Sequence, residues 1–491
     1  MQRDVIDGVP VLWTEEPGPL EAALVFGCGA RDETFRTLGV THLVEHLAMS
    51  TLPRLHHEHN AAVDLDTTRF TCSGRPEQVA RFLELVCRAL GDLPMDRLEQ
   101  ESGVLAAEGG QVTHPTVAAL LSHRYGASGP GLAPYAGPGP DRIGPQAVRD
   151  LVQRFFHAEN AVLVLSGPPP AGLRLPLLPG RRPVRTAAEP LPVVTPSWRE
   201  DDAHGPGLAL RVDPQDPAVQ MAVAVLAERL RLAARHQRGL SYHVGYESVA
   251  GGPGQGPGEQ VIHLDAREGE AGQVAELLWA EAWRLAEQGP TDAELAEELA
   301  GAVEQLTSPD EDDEVAGALG VELLDRPWCP RSERLARLER VTVDQARTAF
   351  AAALRSALLV VPCGVRPDFA AAFLPEHRAG GGRRLPTDGL ELRPPLLARL
   401  FSGDARAVRL RVTDRGLTMR FPGGQVHEVR YEEVVGVEAR GEGRLVFGAG
   451  GDVIPVIEDL FTDLRAAVRT IDAAIPPALH YPASAYRPAE L

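Results

Sequence analysis

Proline falls densely from Pro168 to Gly207: Pro168, Pro169 and Pro170 stand in a row, and Pro176, Pro179, Pro183, Pro190, Pro192 and Pro196 follow. A backbone whose φ is locked and whose amide donors are missing this often cannot continue as helix or inner strand, so a stiff surface linker is expected over 169–206. On either side the same coarse order of elements recurs. Residues 1–168 read as strands at 9–13 and 20–26, a helix around 40–49, a strand at 69–73, helices at 76–90, 96–108 and 147–156, and a buried strand at 161–166. Residues 207–370 read as a strand, a helix at 220–237, further strands, helices at 271–287, 292–305 and 343–358, and a strand at 358–361. Two such mixed blocks predict an α+β fold made of two related halves.

A second break, rich in glycine and proline, spans 371–394. Beyond it the pattern turns to short alternating strands (407–412, 417–421, 428–431, 434–438, 444–447, 453–456) and a last helix with Leu460, Leu464, Val468 and Ile471 on one face. Residues 395–491 are therefore expected as a small β-barrel with a C-terminal helix. At 491 residues the chain fits about three domains, in line with this division.

Chemistry concentrates at His42-Leu-Val-Glu45-His46. On a helix His42 and His46 are i and i+4, so both imidazoles leave one face a turn apart and can share one zinc ion. Glu45 lies beside them without being a ligand and can take a proton from a water that the metal makes acidic. The order inverts the His-Glu-x-x-His of many zinc hydrolases. Read alone, the five residues fit a solvated helix equally well. A third ligand is needed, and Glu101 and Glu108, two turns apart on one face of the 96–108 helix, are candidates.

The motif, the Glu-x6-Glu helix and their order resemble the insulinase/pitrilysin metallopeptidases, a family that includes the mitochondrial processing peptidase. Gly27-Cys-Gly-Ala-Arg-Asp-Glu33 is similar to that family's glycine-rich strand end. Asn60-Ala61 and the strand through Phe70 resemble its cleft-edge segment, and Tyr125 to Gly144 its loop before the last helix. The resemblance implies Zn2+ held by His42, His46 and Glu108, Glu101 supporting from behind, and Glu45 as the base. It also implies that Arg238 and Tyr242 in the zinc-free second half contact substrate and the developing oxyanion; on one helical turn both would donate to a carbonyl oxygen. The bare reading of that stretch is a helix end capped by Gly239. His123 and Tyr125 are candidates for the cleft wall. Implied partners are a peptide substrate and a homodimer or heterodimer with a related chain. The chain departs from the family after His46, where the 62 positions to Glu108 are fewer than usual, which puts the cleft wall in doubt. The C-terminal strands and helix resemble a pleckstrin-homology-like domain.

A net charge of −19 argues against nucleic acid and anionic membrane as main partners. All 49 basic residues are arginine. No apolar run near 20 residues suggests stable membrane insertion. Five scattered cysteines and an N-terminus without a signal-peptide pattern predict a cytoplasmic protein. His56-His57-Glu58-His59 reads better as a polar loop than as a metal cluster, because neighbouring residues rarely converge on one ion. Together these features predict a zinc-dependent endopeptidase acting on peptides or unfolded segments, with leader-peptide processing as one niche. The alternative is a peptide-binding or assembly protein of the same fold with weak or absent catalysis.

Overall fold

The structure, a computed structural model, describes all residues except 109–112, 186, 250–255, 308–311, 327–328, 370–373, 378–383, 423 and 484–491. Residues 371–373 and 378–383 of the 371–394 break lie outside the described residues.

In the first half β1 (Gln2–Ile6), β2 (Val9–Trp13) and β3 (Leu20–Phe26) lead into α1 (Val40–Met49). Then come β4 (His59–Val63), β5 (Thr68–Gly74), α2 (Pro76–Gly91), α3 (Leu98–Glu108), α4 (Pro115–Tyr125), α5 (Pro145–Phe155) and β6 (Ala161–Leu165). The six strands form one sheet in the order β1-β2-β6-β3-β5-β4, with β2 and β6 parallel and β4 at the edge. α1, α2 and α5 cover one face of it, burying Leu43, Leu47, Phe82, Val86 and Phe155.

The second half repeats the plan. β7 (Ser197–Asp201) and β8 (Gly207–Val212) lead into α6 (Pro217–Leu230), and β9 (Val244–Val249) and β10 (Gly258–Leu264) follow. α7 (Ala271–Gln288), α8 (Asp292–Thr307), α9 (Asp312–Leu324), α10 (Arg331–Leu338), α11 (Val343–Leu354) and β11 (Leu358–Pro362) complete it. The sheet order is β7-β11-β8-β10-β9, again with one parallel pair, β7 with β11, and the hairpin strand β9 at the edge. Strand β7 falls inside the stretch expected as linker. Its pairing with β11 begins one residue after Pro196, where the locked φ no longer interferes.

Each half also covers the other. α4 is buried on all sides, and Val117, Leu120 and Leu121 pack on Ala209, Val261, Leu358 and Val360 of the second sheet. Full burial of each such side chain contributes ~1.5–3 kcal/mol. The seam is closed by polar contacts: on β10, buried Glu259 accepts from Arg124 at 3.3 Å and from the Tyr125 hydroxyl at 3.1 Å. In return Leu319, Leu323 and Leu324 of α9 pack on Leu12, Val25 and Val162 of the first sheet. His123 and Tyr125 are 2% and 3% exposed, so they lie inside this seam and not on an open cleft wall.

Beyond the second half come β12 (Leu390–Leu392), α12 (Leu396–Phe401) and α13 (Gly403–Ala407). β13 (Arg409–Val412), β14 (Gly416–Arg420) and β15 (Val426–Arg430) join β12 in one four-stranded sheet. β16 (Val434–Arg440), β17 (Gly443–Gly448), β18 (Val453–Val456) and β19 (His480–Pro482) make a second, and α14 (Arg465–Ala474) packs Ala467 and Ile471 into the shared core. The expected barrel is thus two four-stranded sheets that do not close into a ring. This unit rests on the first half just ahead of α1: Phe447 meets the Phe35 ring at 5.0 Å, and Ala127 N donates to Ala449 O at 2.9 Å.

Candidate metal centre

α1 begins at Gly39, whose φ of +88° only glycine adopts without strain. The orphan amides of its first turn are taken by a side chain from outside the helix. Glu33 accepts from Gly39 N at 2.8 Å and from Thr41 N at 2.9 Å. Glu33 is buried, and burial pushes its pKa up to about 7 against the pull of those two amides. The segment expected as a strand end is therefore the N-terminal anchor of the motif helix, and two ion pairs fix it. Asp32 binds Arg185 at 2.6 Å and Arg31 binds Asp66 at 2.7 Å.

Leu43, Val44, Leu47 and Ala48 point into the core, which leaves His42 and His46 facing α3. Their rings lie 4.7 Å apart at 79°. Glu108, at the last turn of α3, brings Oε2 to 3.4 Å from His46 Nε2 and 3.8 Å from His42 Nε2. Three ligands at about 2.0–2.1 Å on a tetrahedral ion are separated by roughly 3.3–3.4 Å, so this donor set is close to the spacing zinc requires. Among the described residues it is the only set of three or more His, Cys, Asp or Glu whose donors all lie within 4.8 Å of one another. Histidines 56, 57 and 59 form no such group.

The other nitrogen of His46 faces Glu101. Its Nδ1 lies 3.8 Å from Glu101 Oε2, while Glu101 Oε1 accepts from Arg97 at 3.0 Å and Arg97 reaches Ser50 O at the end of α1. Glu101 is buried and Glu108 half-exposed, as expected for one carboxylate behind the imidazoles and one at the mouth. Glu45 is 8% exposed, with Oε2 3.6 Å from His42 Nε2. Burial first, and the Glu108 charge second, push its pKa up to about 7, the range in which a carboxylate both accepts and returns a proton near neutrality. His42 is held below the usual imidazole range by burial and by His46, so it presents a lone pair.

Arg238 and Tyr242 stand differently from expectation. α6 runs on as a wider-turned π segment over Arg231–Gln237 and stops, with Gly239 at φ +60°. The two residues share no helical turn. Tyr242 is 75% exposed, its amide donates to Asp265, and the guanidinium over its ring at 4.8 Å belongs to Arg235. The bare reading, a helix end at a glycine, describes this stretch. Sequence reasoning passed over Glu33 as a helix anchor; its only local signal was an acidic residue ahead of an uncapped helix start.

No protein-family profile matches the sequence, and no curated protein does. Solved structures do share the fold. A peptidase M16 inactive domain from Pseudomonas fluorescens aligns at TM-score 0.59 and 19% identity over 74% of this chain and 98% of that one. A protease from Helicobacter pylori aligns at 0.59 and 13%, over 74% and 99%. The first half of the periplasmic protease PqqL from Escherichia coli aligns at 0.55 and 16%, over 76% and 93%, and the whole of PqqL at 0.57 and 14%, over 87% and 55%. The chain has the α+β fold of insulinase-like M16 peptidases, in two related halves.

Proposed function

We propose that the chain is a zinc-dependent endopeptidase acting on peptides or unfolded segments. The observation that carries the reading is the meeting of His42, His46 and Glu108 at one point, with Glu45 buried beside them. The residues fit zinc in donor type, in spacing and in the carboxylate that backs His46. Zinc bound there would polarise the substrate carbonyl and make a water acidic enough to attack near neutral pH.

The chain's own residues would do the rest. Glu45 takes the proton from the attacking water and hands it to the departing amine. Glu101, braced by Arg97, holds the His46 ring with Nε2 turned to the mouth. β4 lies beside α1 with a free edge, which suits an extended peptide pairing as an added strand. Arg238 and Tyr242 are proposed to reach substrate from the second half, and the exposure of Tyr242 leaves it free to do so. Pairing with a second copy or a related chain is part of the proposal, since PqqL carries in one chain about twice the span matched here. The C-terminal unit is proposed as a pleckstrin-homology-like adaptor and the location as cytoplasmic; among the described residues no helix is long and apolar enough to cross a membrane.

The deciding experiment is zinc per chain together with hydrolysis of an unfolded reporter, for wild type, Glu108→Gln and Glu45→Gln. About one tightly held zinc and activity in wild type, zinc weakened with Glu108→Gln, and zinc kept but activity lost with Glu45→Gln are expected. A folded wild type that takes up no zinc overturns the reading. Zinc without hydrolysis would favour the second reading, a peptide-binding protein of this fold, for which the short interval after His46 speaks.

A further inference from the structure

Four imidazoles gather at the seam between the halves, apart from the motif helix. His114, at the start of α4, stacks its ring on His263 of β10 at 4.1 Å and 22°. His204 lies 6.0 Å from His114, and His243 lies 6.0 Å from His263. The register of the β9–β10 hairpin explains the convergence. His263 pairs with Gly245, so residues 243, 245 and 247 share a face with it. A Cβ on residue 245 would stand 2.6 Å from His263 Nε2 and 2.9 Å from His243 Nε2. Both ring nitrogens are thus directed at the one point that glycine leaves empty. Glu247 Oε1 lies 3.5 Å from His263 Nε2.

We infer that His243, His263 and Glu247 form a second cation site, for a divalent transition metal of the zinc, cobalt or nickel type. Two imidazoles and a carboxylate are ligands for this class of ion, and the fourth position is open to solvent on the His243 side. His114 acts as a positioning residue. Its Nδ1 accepts from Thr116 N at 3.3 Å, and its ring plane fixes that of His263. The three donors stand wider than those of the His42 set, so an ion would draw in His243, which is exposed, and Glu247, which is partly so. Weaker binding than at the first site follows.

Such an ion would tie β9 to β10 beside the turn that carries Tyr242. There Asp265 already holds Ser241, Tyr242 and His243 through one carboxylate oxygen. The ion would keep that turn in one conformation.

The test uses the full chain, stripped with chelator and titrated with zinc and with cobalt, with stoichiometry read by calorimetry and the cobalt site by visible absorption. Wild type should take two ions per chain, one tight and one at least tenfold weaker. His243→Ala, a change at an exposed side chain, and Gly245→Ala should each remove the weak ion and keep the tight one. His46→Ala should do the reverse, and His114→Ala should weaken only the second ion, by about 10–100-fold. Wild-type zinc or cobalt binding that both His243→Ala and Gly245→Ala leave undiminished, whether one ion or two, overturns the inference. Loss of the tight ion's own signal is read separately, in the His243→Ala chain, so failure of the catalytic reading is not mistaken for failure of this one.

Discussion

The two halves share one plan of strands and differ in the helix that follows the second of the matching strands. In the first half that helix, α1, carries two imidazoles and a buried carboxylate, and its amides are capped by a buried glutamate that lies six residues before the N-cap glycine, outside the helix. In the second half α6 is longer, buries Val219, Val223, Leu226 and Leu230, and starts with Pro217 after a local cap, Asp216 accepting from Ala218 N at 3.0 Å. One helix is built cheaply and packs; the other is built from groups that resist burial and carries chemistry. The sheet supports either, so the chemistry is a property of one helix face and its α3 partner and not of the fold.

The sharpest way to break this comparison is to alter a carboxylate on each helix. Glu45→Gln is expected to lower peptide hydrolysis by about 10²–10⁴-fold at unchanged zinc content, while Glu228→Gln on α6 leaves rate and zinc within twofold. Rates measured side by side on one reporter check this, and equal losses would mean that α1 has no special role. Core truncation comes next. Leu47→Ala and Leu226→Ala, both fully buried, should each destabilise the chain by ~2–5 kcal/mol in urea unfolding, but only Leu47→Ala should also loosen zinc.

The Glu33 cap makes folding depend on pH. Glu33 titrates at about 7 when folded and near the ordinary 4.5 when unfolded, so between these values the folded state binds the extra proton. Folding should therefore lose up to ~3 kcal/mol as pH rises from about 4.5 to about 7 and change little from this source above that. Unfolding of the metal-free chain at pH 5 and 7.5 measures it, with Glu33→Gln removing that slope and Asp216→Asn leaving it. The smallest effect is expected behind the imidazoles: Glu101→Gln should weaken zinc by about 10–100-fold in a competition titration with a chelator dye, and wild-type affinity in that variant would remove Glu101 from the site.

What could be read from the residues follows from how local its cause is. The motif helix, α2, α3 and most strands come from periodicities that span a few residues, and they fall where expected. α4 is missing from the expected elements because its apolar run, Val117 to Leu121, has no polar face to give it a period; it is buried all round, against the second sheet on one side and the 129–132 turn on another. β7 was hidden by the prolines before it. Arg238 and Tyr242 have the spacing of one helical turn, but Gly239 ends the helix between them. Glu33 lies only six and eight residues before the amides it caps, but a cap from outside the usual position has no fixed spacing to read. The His263 cluster joins segments distant in sequence, which no short window contains.

The exchange of α4 and α9 bears on how the chain is held together. Each half lends a helix to the other's sheet, an arrangement equivalent to a domain-swapped dimer whose two copies have been fused end to end through the proline-rich stretch. The covalent join is then redundant once folding is complete. Val194 in that stretch is 68% exposed, so a cut beside it severs the backbone at the surface while the swapped helices stay in place. The two fragments should elute as one particle until denaturant separates them, and neither should fold well without the other.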